Sequence, residues 1–341
     1  MRIALDAMGG DLGPEMAIDG AMAAVANRPD LQVILLGPRE LLEEQMAERV
    51  RSRRDCASRI AIHHAPDVIT MHDSPVEAVR KKKTATVVVG FGLVKSGEAD
   101  ALVSAGNSGA TMAAAVRILG RLPGVVRPGI ASCFPTLKEP VMLMDIGANV
   151  DCRAQHLYQF AVMASSCMRL LFDIQRPRVG LLSNGEEVTK GNSLVKETYA
   201  LLQESPLHFV GNVEGRDVYL GDVDVVVCDG FVGNILLKVS EGLAEAALQM
   251  LKREIMKTWR SRMGSFLIRG AFSGFKRRVD YAEYGGAPLL GINGTSIICH
   301  GASNAVALGH AIEVAADMVS CRVNEAIIQS LGQSRLASEA A

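Results

Sequence analysis

Short apolar runs followed by helical patterns recur along the whole chain. Residues 3–7 are apolar apart from Asp6, end in a Gly-Gly-Asp turn, and precede a helical pattern from about Pro14. Proline in the first turn favours a helix start there. The other apolar runs are residues 32–36, 60–64, 101–104, 141–146, 179–182, 208–210, 223–228 and 296–299. This alternation predicts parallel strands joined by helices.

The predicted fold is an α/β three-layer αβα sandwich with a mainly parallel sheet. Its strands are rich in Ala, Val, Ile and Leu, and only 4% of the chain is aromatic. That composition suits strands buried on both faces and closely packed helices. No long linker divides the chain, so residues 1–330 are expected to form one unit with two lobes around a cleft. The small, polar residues 331–341 predict a flexible tail.

Glycine and polar residues follow most of the predicted strands. Glycine lets the backbone approach a ligand closely, and amide groups at helix N-termini bind anions. Because ligands bind at the carboxyl ends of parallel strands, we expect an anion, most simply phosphate, in a cleft at one edge of the sheet. The candidate binding residues are Gly9, Gly10, Asp11, Ser104, Asn107, Ser108, Gly109, Asn149, Asn192, Gly233 and His300.

Three residues are predicted to be catalytic. Lys190 is the best-placed cation, because it lies beside Gly191 in a loop after a predicted strand. Asn234 follows the apolar run 223–228 and is a candidate donor to phosphate or an oxyanion, with Asp229 nearby. A turn in which Asp229 and Asn234 bond only to the backbone explains these two residues equally well.

We expect no metal and no cofactor. Asp145, Asn149 and Asp151 have oxygens that suit magnesium, but without substrate phosphates a pair of aspartates rarely suffices, so we favour loop-fixing hydrogen bonds. Residues 90–92 begin a dinucleotide fingerprint, yet Lys95 occupies its third glycine position. The sequence contains neither a P-loop nor a G-x-S-x-G nucleophile elbow.

Charge and cysteine usage narrow the function classes further. The net charge of −1 gives no general attraction to nucleic acid. Seven widely spaced cysteines without a C-x-x-C pair indicate reduced thiols. The chain enters a strand at its start with no signal peptide, and no stretch of 18 apolar residues occurs. We therefore expect a cytoplasmic protein.

Residues 241–278 depart from the alternation and predict an inserted basic amphipathic helical segment. Between Lys252 and Arg278 it carries nine basic residues and one acid. Such a segment fits an anionic membrane surface, and packing against a partner helix or a solvated face are the alternatives. The leucine-rich part, residues 243–251, favours packing between two subunits. The candidate membrane residues are Trp259, Phe266, Arg269, Phe272, Phe275, Lys276, Arg277 and Arg278.

Five segments together resemble the bacterial phosphate acyltransferase family, PlsX. They are DAMGGD at residues 6–11, SAGNSGA at 104–110, DIGANVD at 145–151, DGFVGN at 229–234 and YGGAPLLG at 284–291. They occur in the family's order and span nearly the whole chain. Ser108 stands where Thr is expected and keeps the hydroxyl. Ser183 and Asn184 stand where Asn-Ile is expected, so the resemblance assigns no role to Asn184, whereas Lys190 is retained.

The resemblance implies an enzyme that forms acyl phosphate from inorganic phosphate and a fatty acyl-[acyl carrier protein] for phospholipid synthesis. It implies a fold like that of isopropylmalate dehydrogenases and phosphotransacetylases, a homodimer, and peripheral association with the inner face of the cell membrane. There the product passes to a membrane-bound glycerol-3-phosphate acyltransferase. For the chemistry we expect direct attack of phosphate on the thioester, without an acyl-enzyme.

Three other function classes share some of these features. A phosphotransacetylase-like enzyme that uses acyl-CoA has the same kind of loops, but it prefers short acyl chains and does not bind membranes. A nicotinamide dehydrogenase transfers hydride, which an absorbance change reports. A non-catalytic lipid or carrier-protein binding module has affinity without phosphate-dependent turnover.

Overall fold

A computed structural model describes residues 1–50, 54–270, 274 and 285–339. In these ranges eleven strands form one sheet. The strands are β1 (Arg2–Asp6), β2 (Gln32–Gly37), β3 (Ile60–His64), β4 (Ala101–Ser104), β5 (Gly129–Phe134), β6 (Val141–Met144), β7 (Arg178–Leu182), β8 (His208–Val213), β9 (Val225–Val227), β10 (Ala287–Leu290) and β11 (Thr295–Ile298).

Helices follow most of the strands. They are α1 (Pro14–Asn27), α2 (Arg39–Val50), α3 (Arg54–Ala57), α4 (Pro75–Lys81), α5 (Thr86–Ser96), α6 (Ser108–Ile118), α7 (Ala154–Leu171), α8 (Ser193–Gln203), α9 (Gly230–Met256), α10 (Trp259–Leu267), α11 (Ala305–Ser320) and α12 (Val323–Glu339), with a short 3₁₀ turn at Asp217–Tyr219. Every apolar run named in the sequence coincides with a strand, so the predicted alternation is confirmed. Only β5 and β10 were not predicted.

The strand order is β3-β2-β1-β4-β11-β10-β5-β6-β9-β7-β8. Seven of the ten neighbouring pairs are parallel, which confirms a mainly parallel sheet. The antiparallel pairs are β10 with β11, β10 with β5, and β5 with β6. As a result, β6, β7, β8 and β9 run opposite to β1, β2, β3, β4 and β11.

This reversal corrects one expectation about the site. We expected all the polar loops at a single edge of one parallel sheet. Instead, strands β1, β2, β3, β4 and β11 have their carboxyl ends at one edge of the sheet, and strands β6, β7, β8 and β9 have theirs at the opposite edge. The reversal arises at the antiparallel strands β5 and β10, which were not predicted.

Both faces of the sheet are buried, as the three-layer fold requires. In β1, Ile3 and Leu5 belong to one core cluster together with Ile312 of α11. The residue between them, Ala4, belongs to a second cluster together with Phe91 of α5. Side chains of a strand alternate between its two faces, so each cluster fills the space between the sheet and one helical layer.

The long helix α9 leaves the body of the fold soon after it begins. Of its residues, only Gly230 and Gly233 are buried. The helical segment predicted at 241–278 therefore starts earlier, at Gly230, because the helix follows directly from β9. At the other end of the chain, α12 continues to Glu339, so most of the predicted tail is helical. Among the helices in the described ranges, none is long and apolar enough to span a membrane.

Candidate functional site

The first loop cluster is organised by Asp6, a buried carboxylate at the end of β1. Its Oδ1 accepts hydrogen bonds from the backbone N–H groups of Met8 and Gly9, at 3.2 and 3.0 Å. Its Oδ2 accepts the hydroxyl of Ser104 at 2.8 Å, and that hydroxyl accepts from the N–H of Gly106. Burial raises the pKa of Asp6, and these hydrogen bonds act in the opposite direction. Asp6 thus joins the loops after β1 and β4.

Close backbone packing explains the glycines of this cluster. A Cβ atom on Gly9 would lie 2.6 Å from the backbone nitrogen of Gly106. Gly10 has φ +91°, and a Cβ there would lie 2.9 Å from the carbonyl oxygen of Gly301. That carbonyl accepts a hydrogen bond from the N–H of Asp11 at 2.7 Å. The loops after β1, β4 and β11 therefore converge, as predicted for Gly9, Gly10, Asp11 and the His300 turn.

The Asn107 side chain is committed to the protein at both ends. Its Oδ1 accepts from the N–H of Ala110 and caps α6, while its Nδ2 donates to the carbonyls of Thr70 and Met71. Asn107 therefore fixes residues 70–71 against the loop, and its direct contact with substrate stays a prediction. Ser108, by contrast, is exposed in the first turn of α6.

A second loop cluster is built on Asp145, the residue that follows β6. This fully buried carboxylate accepts the N–H of Ile130 and three N–H groups of residues 147–149. Asn149 adds its side-chain amide at 3.0 Å and donates to Pro128 as well. Burial raises the pKa of Asp145, which the hydrogen bonds oppose. These contacts match the loop-fixing role favoured from the sequence.

Helix α9 begins against the Asp145 loop. Asp229 caps it, accepting the N–H groups of Phe231 and Val232 through Oδ1. A Cβ atom on Gly233 would overlap the carbonyl oxygen of Asp145, so only glycine allows this approach. Asn234 is exposed, and its side chain lies beside Gly147. Capping accounts for Asp229, while Asn234 makes no side-chain hydrogen bond within the described residues.

The third cluster is the loop that carries Lys190. The N–H of Gly191, at φ +90°, donates to Oδ1 of Asn184 at 2.9 Å. The side-chain amide of Asn212 donates to the carbonyl of Glu187 at 3.0 Å. Asn192 ends the loop and caps α8 by accepting the N–H of Val195. Asn184 and Asn212 thus hold the lysine loop from both sides, although neither was a predicted site residue.

Lys190 itself is exposed, and its aliphatic stem packs on Gly185. Across the described ranges, no carboxylate forms an ion pair with it. Behind the loop, the Ser183 hydroxyl and Oδ1 of Asn212 are buried and have no hydrogen-bond partner among the residues that the structure describes. The only signal for Asn184 and Asn212 in the sequence was their place at or near the carboxyl ends of β7 and β8.

Full or partial burial of five cysteine thiols disfavours their reactive thiolate form. It raises the pKa of Cys133 and Cys299 to about 12 and that of Cys152 to about 11. Burial also raises the pKa of Cys167 and Cys228 above the ordinary thiol range. Because thiolate is the reactive form, these raised pKa values disfavour the five thiols as nucleophiles. No group of three potential metal ligands occurs in the part of the chain that the structure describes.

Comparison with known proteins gives consistent relatives. Residues 1–326 match the family described as Fatty acid synthesis protein. A phosphate acyltransferase of Trichlorobacter lovleyi is 51% identical over 334 residues, which cover 98% of this chain and 95% of the relative. A phosphate acyltransferase of Syntrophotalea carbinolica is 52% identical over 331 residues, covering 97% and 94%.

Among solved structures, the fold is similar to that of the EutD phosphotransacetylase from Staphylococcus aureus. The TM-score is 0.61 at 19% identity, with 94% of each chain covered. At this identity the likeness concerns the fold alone. It confirms the predicted phosphotransacetylase-like architecture.

Proposed function

The chain belongs to the family described as Fatty acid synthesis protein, and relatives about 50% identical to it are phosphate acyltransferases. We propose that it transfers a fatty acyl group from acyl carrier protein to inorganic phosphate. The product is an acyl phosphate for phospholipid synthesis. The observation that carries the proposal is Lys190, an exposed cation without an ion pair among the described residues, in a loop held by Asn184 and Asn212. An unneutralised, positioned cation is what an anionic nucleophile requires.

Sheet twist supports a single cleft despite the reversal of strand direction. Strands β1 and β9 lie six spacings apart in the sheet and run in opposite directions. Neighbouring strands rotate by about 20–25°, which accumulates to roughly 120–150° over that distance. The directions of β1 and β9 then differ by roughly 30–60° in space. We infer that the loops after both strands face the same side of the molecule.

The reaction we propose is direct acyl transfer. An oxygen of phosphate attacks the thioester carbon, a C–O bond forms, the C–S bond breaks, and the thiolate leaves and takes a proton from solvent. Lys190 holds the phosphate charge, while the side-chain amide of Asn234 donates to the developing oxyanion. Phosphate is partly a dianion near neutral pH, so the step needs no strong general base. In this scheme Asp229 positions Asn234, because it caps the start of α9.

Cys167, Cys228 and Cys299 are buried, which favours this direct route over an acyl intermediate on any of these three thiols. Mass spectrometry of the enzyme quenched during turnover checks this point. We expect unmodified cysteines throughout the steady state. An acyl adduct that forms and decays at the rate of turnover contradicts direct attack.

The function is tested by release of the carrier-protein thiol from hexadecanoyl-[acyl carrier protein]. We expect release only when inorganic phosphate is present, with one acyl phosphate formed for each thiol. Release that proceeds equally well without phosphate contradicts the proposal. A strong preference for short-chain acyl-CoA instead supports the phosphotransacetylase-like alternative.

We propose further that the enzyme is a cytoplasmic homodimer, peripherally bound to the inner face of the membrane, where a membrane-bound glycerol-3-phosphate acyltransferase uses its product. Helices α9 and α10 support this, because they expose large apolar residues such as Leu243, Trp259 and Phe266, the last two at 67% and 74%. Arg260 lies over the Trp259 ring at 5.7 Å. Basic and aromatic groups together suit an anionic interface. The predicted Phe272, Phe275, Lys276, Arg277 and Arg278 lie outside the described residues.

Charge reversal tests this membrane role. Replacing Arg269, Lys276, Arg277 and Arg278 with glutamate is expected to remove most sedimentation with vesicles containing anionic lipid, because each basic residue near such a surface contributes about 1 kcal/mol. Neutral vesicles serve as the control. Sedimentation equal to that of the unchanged protein assigns the segment to the subunit interface.

A further inference from the structure

A basic run lies at the C-terminal end of α4, a short helix whose N-terminal end packs against the first loop cluster. Residues 80–83 are Arg-Lys-Lys-Lys, and residues 74–96 contain five basic residues and one acid in a chain of net charge −1. The side chain of Asn107 binds the carbonyls of Thr70 and Met71, just before α4. A Cβ atom on Gly109 would lie 3.0 Å from Cγ of Pro75, the first residue of α4. The N-terminal end of α4 thus adjoins the glycine loops, and the basic run lies at the other end of this seven-residue helix.

The four cations of the run differ in what they bind. Lys82 is tied down by Asp73 at 2.7 Å and by the carbonyl of Val68, and Lys81 pairs with Glu77 on the helix surface. Arg80 and Lys83 are exposed, and within the described ranges no carboxylate pairs with either. The segment therefore has two fixed cations and two that stay available to a partner.

Exposed apolar side chains accompany these charges. Met71 is 47% exposed and Val76 is 70% exposed. Leu12, in the loop after β1, is 49% exposed. Apolar groups flanked by basic residues form the kind of surface that binds an acidic protein, since the apolar groups supply contact area and the charges supply attraction and orientation.

The surface lies on the same edge of the sheet as the first loop cluster. The turn before α5 bridges Ala85 to Asp67, which follows β3. The opposite end of α5 reaches the other edge, because Arg2 at the start of β1 donates to the carbonyl of Gly97. Lys83 and Lys95 therefore occupy opposite ends of α5, and only Lys83 is on the side of the glycine loops.

We propose that Arg80 and Lys83, with Met71, Val76 and Leu12, form the surface on which the acidic acyl carrier protein docks to deliver its thioester. This deepens the proposed function and rests on it. An acidic protein fits better than a lipid surface, because the patch has no aromatic side chain and borders the substrate loops. The aromatic groups that suit a lipid interface lie on α10 instead.

The test is the double variant Arg80→Glu with Lys83→Glu. Its KM for hexadecanoyl-[acyl carrier protein] should rise at least about tenfold. Two basic side chains that attract the acidic carrier protein are replaced by acidic ones that repel it. Its KM for phosphate should stay unchanged, as should its turnover of hexadecanoyl-pantetheine, which has the reacting bond without the protein. Raising the salt concentration should shrink the difference from the unchanged enzyme.

The matched control is Lys95→Glu with Arg117→Glu. This control changes the net charge by the same amount as the test variant. Its two residues lie at the C-terminal ends of α5 and α6, away from the glycine loops, so every KM should stay unchanged. Circular dichroism and anisotropy of labelled carrier protein separate misfolding from lost docking. The milder pair Arg80→Gln with Lys83→Gln should give a smaller rise in KM.

The outcomes separate the two proposals. If the unchanged enzyme releases the carrier-protein thiol equally well without phosphate, the acyltransferase function itself is rejected. A working enzyme whose folded charge-reversal variant keeps its KM for the carrier protein overturns the docking surface alone. Lost sedimentation with anionic vesicles at an unchanged KM for the carrier protein also overturns it, since the patch then serves the membrane.

Discussion

Replacing Lys190 with alanine is expected to lower kcat/KM for phosphate by at least about 100-fold, or about 2.7 kcal/mol of transition-state stabilisation. The side chain is exposed and has no ion pair within the described residues, so its charge is available to the nucleophile. For the same reason the free energy of unfolding should change by less than about 0.5 kcal/mol. Initial rates of thiol release at varied phosphate and urea denaturation measure the two effects.

Two further lysine variants make this prediction specific. Lys196→Ala removes an exposed lysine from α8, outside the lysine loop, and should keep full activity. Lys190→Arg keeps the charge but changes its shape, so it should retain an intermediate rate. Equal activity of the Lys190→Ala enzyme and the unchanged enzyme assigns the phosphate charge to another group.

Replacing Gly233 with alanine is expected to destabilise the protein by about 3 kcal/mol and to abolish most activity. The new Cβ overlaps the carbonyl oxygen of Asp145, so α9 and the Asp145 loop must move apart. Overpacking of this kind costs about 1–3 kcal/mol or more. The same movement displaces Asn234 from Gly147, which the proposed oxyanion contact requires. Urea denaturation and the thiol-release assay report both losses.

Gly242→Ala in the same helix is the control. A Cβ atom there meets no heavy atom within 4 Å, and alanine favours a helix over glycine by about 0.8–1.0 kcal/mol. This variant should therefore be as stable as the unchanged protein or more so. If Gly233→Ala behaves like Gly242→Ala, the close packing of α9 on the Asp145 loop does not hold in solution.

The sequence predicted the elements of the fold better than their directions. Strands such as β1 and β4 are apolar runs that end at glycine turns, a pattern that period and turn chemistry specify locally. The antiparallel strand β10 is a short apolar run interrupted by Pro288, and β5 contains Ser132 and is followed by Pro135. Strand direction, moreover, is decided by pairing between distant segments. For this reason the sheet's reversal was missed while its class was predicted correctly.

In the site as well, contacts between residues close in sequence were predicted better than contacts that depend on the fold. Asp145 was correctly expected to fix its loop, because a carboxylate before several glycine-turn amides has nearby donors. Asn107 and Asn192 were predicted to bind substrate, yet both cap helices, and an asparagine before a helix has the same sequence appearance in either role. Asn184 and Asn212 were missed because their hydrogen bonds to Gly191 and Glu187 form only once the lysine loop has folded, which the sequence alone does not show.

Soaking crystals in phosphate tests whether Lys190 binds the nucleophile. We expect a phosphate ion within hydrogen-bond distance of Nζ of Lys190, facing the glycine loops. An ion bound at a site remote from that lysine, with the loop left empty at saturating phosphate, contradicts this expectation.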